Sequence, residues 1–197
     1  MQFIVLSSSH GTTFQAVIDA LEKGTLKAHC LGLVTDRDDR GCAQKARSSG
    51  LPVIIVERQK DTSRDAYDQR LDAAIRSLIA NENELTVIAA LGWMFILSPW
   101  FVRRWKNRIV NVHPALLPRH PGAHALRETL IEGDTESGMT IHCIDEGIDT
   151  GQILVQKKCP VFQSDTEDSL KSRIQELEKE WFSIVLEQIQ SGSIKLP

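Results

Sequence analysis

Apolar positions follow two rhythms along this chain. Short solid runs at residues 3–6, 30–35, 52–56, 85–90 and 109–112 predict strands buried on both faces. Between them the spacing turns helical. Phe14, Val17, Ile18 and Leu21 share one helical face, and further helices are predicted at 42–49 and 64–79, the latter with Asp65, Tyr67 and Leu71 setting its early register. A terminal helix carries Leu170, Ile174, Leu177, Trp181, Ile184 and Val185, after a Ser164-Asp165-Thr166-Glu167 run that reads as a capping box. Residues 152–161 read as an extended partner of 139–145, and the short link between them predicts antiparallel pairing. The alternation predicts an α/β fold: a doubly wound, Rossmann-like, mostly parallel sheet with a C-terminal antiparallel strand and a long terminal helix.

Polar residues that interrupt the pattern are the candidates for chemistry. Asn111 lies inside the apolar run Ile109-Val110-Asn111-Val112, and His113 follows two positions later on the same strand face. Pro114 then ends the strand. In open parallel sheets, ligands bind at that strand end. Thr140 and His142 share a face of a second strand, with Ile141 and Cys143 on the other. The loop beyond it holds Asp145, Glu146 and Asp149, with Gly147 and Gly151 permitting tight turns. A carboxylate from this loop is expected to meet His113 and hold it protonated, with a pKa above the ordinary histidine value. Asn, His and Asp together can stabilise an oxyanion and move protons. The bland alternative is a satisfied buried Asn beside a loop His.

Residues 7–13, Ser-Ser-Ser-His-Gly-Thr-Thr, join a strand to a helix start, where free backbone N–H groups and the helix dipole suit an anion. A plain capped turn fits the same letters. Gly11 is the loop's sole glycine, so the three-glycine dinucleotide fingerprint is absent and a nicotinamide cofactor is disfavoured. The charged run 36–41 reads as a solvated loop, and the cluster Arg103, Arg104, Lys106 and Arg108 as a solvated helix end. A formal charge of -3 gives no overall basicity for nucleic acid. Four cysteines without paired spacing suggest free thiols and no metal site. At 197 residues, with no repeat or linker, one domain is expected. A start without a charged leader, and no stretch long enough to span a membrane, fit a cytoplasmic protein.

The segments Asn111-Val112-His113-Pro114-Ala115-Leu116-Leu117-Pro118, continuing to His124, and Ile144-Asp145-Glu146-Gly147-Ile148-Asp149-Thr150-Gly151 resemble the folate-dependent formyltransferases. The likeness runs from the first strand to the terminal helix, and its flanking features are similar to the glycinamide ribonucleotide formyltransferases of purine synthesis. It implies 10-formyltetrahydrofolate as cosubstrate, Asn111, His113 and Asp149 as the catalytic set, and a single domain whose residues 1–105 bind the substrate phosphate while 106–197 bind folate and carry the catalytic groups. It places the substrate phosphate at His10, Gly11, Thr12, Thr13 and Arg64, with Glu178 also touching that substrate. It assigns the folate pocket to Met94, Phe95, Ile96, Leu97, Cys143, Asp145 and Gly147. His124 matches a family histidine near the active site. This chain departs from the usual pattern at Ser9 (commonly Gly), Thr13 (commonly Asn) and Phe95 (commonly Arg). Small-molecule partners and a monomer or weak homodimer are expected. Sugar-nucleotide and methionyl-tRNA formyltransferases share the core and are the enzymatic alternatives; a non-catalytic folate- or nucleotide-binding module is the alternative of another kind.

Overall fold

A computed structural model describes the whole chain, Met1–Pro197. In chain order its elements are β1 (Gln2–Leu6), α1 (Thr12–Glu22), β2 (His29–Thr35), α2 (Gly41–Ser48), β3 (Val53–Ile55), α3 (Arg64–Ser77), β4 (Thr86–Ala90), α4 (Pro99–Arg104), β5 (Ile109–His113), α5 (Ala125–Ile131), β6 (Glu136–Cys143), β7 (Ile153–Pro160) and α6 (Glu167–Gln190). The seven strands form one sheet in the order β3-β2-β1-β4-β5-β6-β7. All pairs from β3 to β5 are parallel, whereas β6 is antiparallel to both β5 and β7. The expected doubly wound sheet is therefore present, with β6 as the reversed strand. Strand order turns around between β1 and β4, the crevice where such sheets bind ligands.

The solid apolar runs are explained by helices on both faces. Along β1, Phe3 and Val5 pack with α1, α2 and α6, while Ile4 and Leu6 pack with α3, α4 and Trp105. Helix starts are capped as their sequences suggest: Ser63 accepts from the Ala66 N–H, and Ser98 from the Phe101 N–H before Pro99. The capping box of α6 lies two residues beyond its expected place, between Thr166 and Ser169. Asp165 instead accepts from the Phe162 N–H and pairs with Arg173, so Ser164 is displaced from the cap. Two other expectations are corrected. Asp36 is buried and takes both prongs of the Arg40 guanidinium, so the run 36–41 is anchored at its start. Ile184 is exposed, and Phe182, Leu186 and Ile189 complete the buried stripe of α6. No helix is long and apolar enough to cross a membrane.

Candidate active site

Antiparallel register sets Asn111 opposite His142, and His113 opposite Thr140. Four polar side chains thus share one sheet face at the end of β5. Gln156 of β7 lies opposite Thr140 and extends the row. Thr140 and Gln156 serve the loop that leaves β5. The Thr140 hydroxyl donates to the Ala115 carbonyl (2.6 Å) and accepts from the Leu117 N–H (3.1 Å). Gln156 donates to the Leu117 carbonyl (2.7 Å).

His113 is almost fully buried. Its Nε2–H donates to the His120 carbonyl at 2.7 Å, and its Nδ1 lies 3.3 Å from Asp149 Oδ2. That same oxygen accepts the Gly122 N–H at 2.7 Å. Asp149 holds a left-handed backbone (φ 53°), a strained choice for a non-glycine residue, and so turns its carboxylate inward from the loop. Burial opposes its charge. The Nε2–H of a protonated His142, 3.5 Å from Asp149 Oδ1, and the Gly122 N–H, with the positive charge of His113, outweigh this and bring the Asp149 pKa down to about 2.

The expected rise in the His113 pKa is not what this site produces. Burial pushes His113 below the ordinary histidine value, and the opposing pull of Asp149 and of the His120 carbonyl does not overcome it. Burial of the ring depends on the loops on either side, which no local pattern revealed.

His142 completes the cluster and was not among the expected site residues. Its Nδ1–H donates to the Cys143 carbonyl (3.0 Å), so in the neutral tautomer Nε2 accepts from the Asn111 side-chain NH₂ (3.1 Å). This fixes the Asn111 amide and leaves its second N–H without a partner in the chain. The Thr140/His142 alternation was a visible signal; what it lacked was the register that brings His142 onto Asn111.

The loop 144–151 is tightly built. Asp145 accepts from the Gly147 N–H and the Thr150 hydroxyl, so its carboxylate holds the turn. A Cβ on Gly151 would stand 1.8 Å from the Cys143 carbonyl oxygen, a contact that only glycine avoids. Cys143 is itself buried, and burial raises its thiol pKa to about 11, which makes it inert.

At the other side of the crevice, Gly11 (φ 72°) precedes α1 and no side chain caps the helix. The Gly11 N–H is taken by Ser9 Oγ (3.1 Å), while the N–H groups of Thr12, Thr13 and Phe14 have no acceptor within the chain. Ser9 is not in the positive-φ region, so its replacement of a glycine costs no backbone strain. Thr13 Oγ1 donates to Glu178 (3.0 Å). Burial raises the Glu178 pKa to about 7 against the effect of this bond. His10 is exposed on the loop. Arg64 is the first residue of α3, exposed and without an ion pair; no hydrogen bond links it to the α1 start.

Serines 7 and 8 join this loop to the residues after β4. Ser7 Oγ donates to the Leu91 carbonyl (2.6 Å), and Ser8 Oγ accepts the Met94 N–H (3.0 Å). Met94 and Ile96 are 71% and 60% exposed, available to an apolar ligand. Leu97 differs: it is buried in the core beneath α4. Phe95 packs edge-on to Trp93 and Tyr67, with the Arg58 guanidinium 4.9 Å from its ring centre. His124 sits at the start of α5, exposed and without a capping bond.

A family model described as formyl transferase matches residues 1–186. The chain belongs to the formyl transferase family. Phosphoribosylglycinamide formyltransferase of Escherichia coli (strain K12) is 33% identical over 196 residues, covering 100% of this chain and 90% of that protein. The trifunctional purine biosynthetic protein adenosine-3 of Drosophila melanogaster is 38% identical over 191 residues; the match takes in 96% of this chain but 14% of that longer protein. The crystal structure of glycinamide ribonucleotide transformylase 1 from Symbiobacterium toebii superposes with a TM-score of 0.91 at 28% identity, covering 98% of this chain and 88% of that one. In formyl transfer, negative charge develops on the formyl oxygen. A formyl transferase with this cluster can meet that charge with the unpartnered Asn111 N–H and a protonated His113.

Proposed function

We propose that this formyltransferase moves the formyl group of 10-formyltetrahydrofolate to the amine of glycinamide ribonucleotide, a step of de novo purine biosynthesis. The observation that carries the reading is the Asn111–His113–Asp149 cluster at the end of β5, with His113 buried and the other two half-buried, across the switch-point crevice from an uncapped α1. The substrate phosphate sits on the free N–H groups of Thr12 and Thr13, beside Gly11 and His10, with Arg64 adding charge and Glu178 reaching the same substrate. The folate lies against Met94, Phe95 and Ile96 on one side and the loop from Cys143 through Asp145 and Gly147 on the other. Leu97 supports this wall from the core.

The amine attacks the formyl carbon and a tetrahedral oxyanion forms. The Asn111 N–H and the His113 imidazolium stabilise it. Asp149 keeps a positive charge on His113 favourable and orients a water that takes the amine proton to the departing folate nitrogen. The C–N bond to folate breaks as that nitrogen gains the proton, and the formamide product is released. In this reading the chain is one cytoplasmic domain, monomeric or weakly dimeric, with only small-molecule substrates. Residues 1–105 hold the phosphate and 106–197 hold folate and the catalytic groups.

A sugar-nucleotide formyltransferase is the second reading, favoured by Ser9 and Thr13 in the phosphate loop. One assay separates them. With 10-formyltetrahydrofolate present, glycinamide ribonucleotide should be formylated, and its dephosphorylated riboside should be used far less well. Arg64→Ala should raise KM for the ribonucleotide by roughly tenfold to a hundredfold, the worth of one charge-assisted pair, with the folate KM unchanged. Equal use of the riboside would remove the phosphate site and favour the second reading.

A further inference from the structure

The acceptor on His113 Nε2 is a backbone carbonyl, and a second pair of side chains fixes where that carbonyl stands. His120 is buried and has a left-handed backbone (φ 52°). Its ring Nε2 lies 2.7 Å from Asp134 Oδ2, while its own carbonyl takes the His113 Nε2–H at 2.7 Å. Asp134 Oδ1 pairs with the neighbouring Arg119 guanidinium. Asp134, at the turn between α5 and β6, thus grips two consecutive residues of the loop leaving β5. His120, Glu132 and Asp134 lie close enough to hold a cation, but Arg119 already supplies positive charge to that carboxylate.

We propose that Asp134 and His120 are positioning residues that set the protonation pattern of His113. The claim rests on the catalytic role proposed above for His113. A carbonyl can only accept, so the His120 carbonyl requires a proton on Nε2. Neutral His113 then points the Nδ1 lone pair at the Asp149 carboxylate, an unfavourable pairing that a second proton relieves. Without the carbonyl, neutral His113 can carry its one proton on Nδ1 and satisfy Asp149 with no net charge. The imidazolium then loses its advantage. The groups facing His113 are Asp149 from the β6–β7 loop, His142 from β6 and His120 from the β5–α5 loop. Of these, the His120 carbonyl calls for the neutral form's proton on Nε2, in competition with Asp149, which calls for it on Nδ1.

The test uses the ligand-free protein labelled with ¹⁵N-histidine, with His113→Gln assigning the resonances. Wild type should show neutral His113 with its proton on Nε2. Asp134→Ala and His120→Phe should each move population to the Nδ1-protonated form, whereas Asp134→Asn, which keeps an oxygen acceptor, should stay close to wild type. In turnover, the first two should lose about tenfold in kcat, the order of one hydrogen bond, with both KM values within about twofold. The alkaline limb of their pH profile should move to lower pH. Unchanged His113 tautomers in folded Asp134→Ala and His120→Phe overturn the proposal. Because the spectra need no substrate, this outcome is distinct from failure of the formyl-transfer reading. A kcat loss with an unmoved limb and unmoved tautomers would make the pair structural only.

Discussion

At the start of α1 the groups offered to a ligand are backbone amides: Thr12, Thr13 and Phe14 present N–H groups because every helix start leaves them unpaired. At the end of β5 they are side chains. Asn111 is aimed by His142, His113 by the His120 carbonyl, and Asp149 by Gly122 and its own strained backbone. The first region tolerates changes of letter, since the geometry comes from the helix. Ser9 and Thr13 stand in it without strain. The second region has little slack, because each side chain is held by a partner that only the folded chain supplies. Binding a phosphate needs charge and donors in rough position. Stabilising a transient oxyanion needs donors set to it in advance.

The largest expected effects come from breaking the side-chain region. His113→Ala and Asn111→Ala should each lower kcat by about 10²–10³, the cost of removing one oxyanion donor. Both substrate KM values should change little. The double variant should lose less than the product of the singles, because the two act on one oxyanion. In the backbone region, Thr12→Ala should raise the KM of the ribonucleotide by no more than about tenfold, since it removes one hydroxyl and keeps the N–H. Steady-state kinetics on the four proteins measures the contrast. A kcat loss from Thr12→Ala as large as from Asn111→Ala would erase it.

Asp149→Asn tests the same region through pH. In the proposed mechanism Asp149 is charged and His113 protonated. With Asp149 held near a pKa of about 2, the carboxylate is ionised across the useful range. Activity should therefore be lost as pH rises through the His113 pKa, which burial keeps below the ordinary value. Removing the carboxylate charge removes the main influence opposing that burial, so the alkaline limb of kcat/KM should move to still lower pH and kcat at neutral pH should fall. A limb that stays in place would show that another group titrates.

The contrast also explains what could be read in the letters. The sheet, its helices and the loop that enters α1 follow from local patterns: solid apolar runs, a 3.6-residue spacing, and a small-residue loop before a helix. Asn111 and His113 were visible as polar breaks in one strand, and Asp149 as a loop acid. Their partners were not. His142 reaches Asn111 through the register of β5 and β6, and Asp134 reaches His113 only through the fold of a loop. The direction of the His113 pKa was misread for the same reason: a carboxylate is legible in sequence, whereas burial by two loops is not. Asp36 and the α6 cap failed alike, each through one ion pair or side-chain bond that competed with a local rule. Sequence and family resemblance together point to candidate groups, whereas what holds those groups in place is visible only in the fold.

Glu178 is the exception within the backbone-built region, and its expected effect is the smallest. It is a half-buried carboxylate whose hydrogen-bond partner is the Thr13 hydroxyl. Burial raises its pKa from the ordinary 4.5 to about 7, against the effects of Thr13 and Lys171. The sign of the stability effect follows. Between those two pH values the folded chain keeps a proton that the unfolded chain has already lost, so stability falls as pH rises through this window and stays lowered above it. Glutamine has the same shape, keeps an oxygen for Thr13, and is neutral throughout. Glu178→Gln should therefore melt higher than wild type at pH 8, by a few degrees, on the order of the ~1 kcal/mol scale that moves a melting midpoint. The gain should vanish at pH 4, where wild-type Glu178 is also neutral. Thermal melts at the two pH values decide this. An equal gain at both would mean that the charge is not what destabilises the site. If Glu178 also contacts the ribonucleotide, the same substitution should raise that KM while kcat stays near wild type. A residue kept at a cost to stability above pH 7 would then be kept for binding, even where the backbone supplies most of the donors.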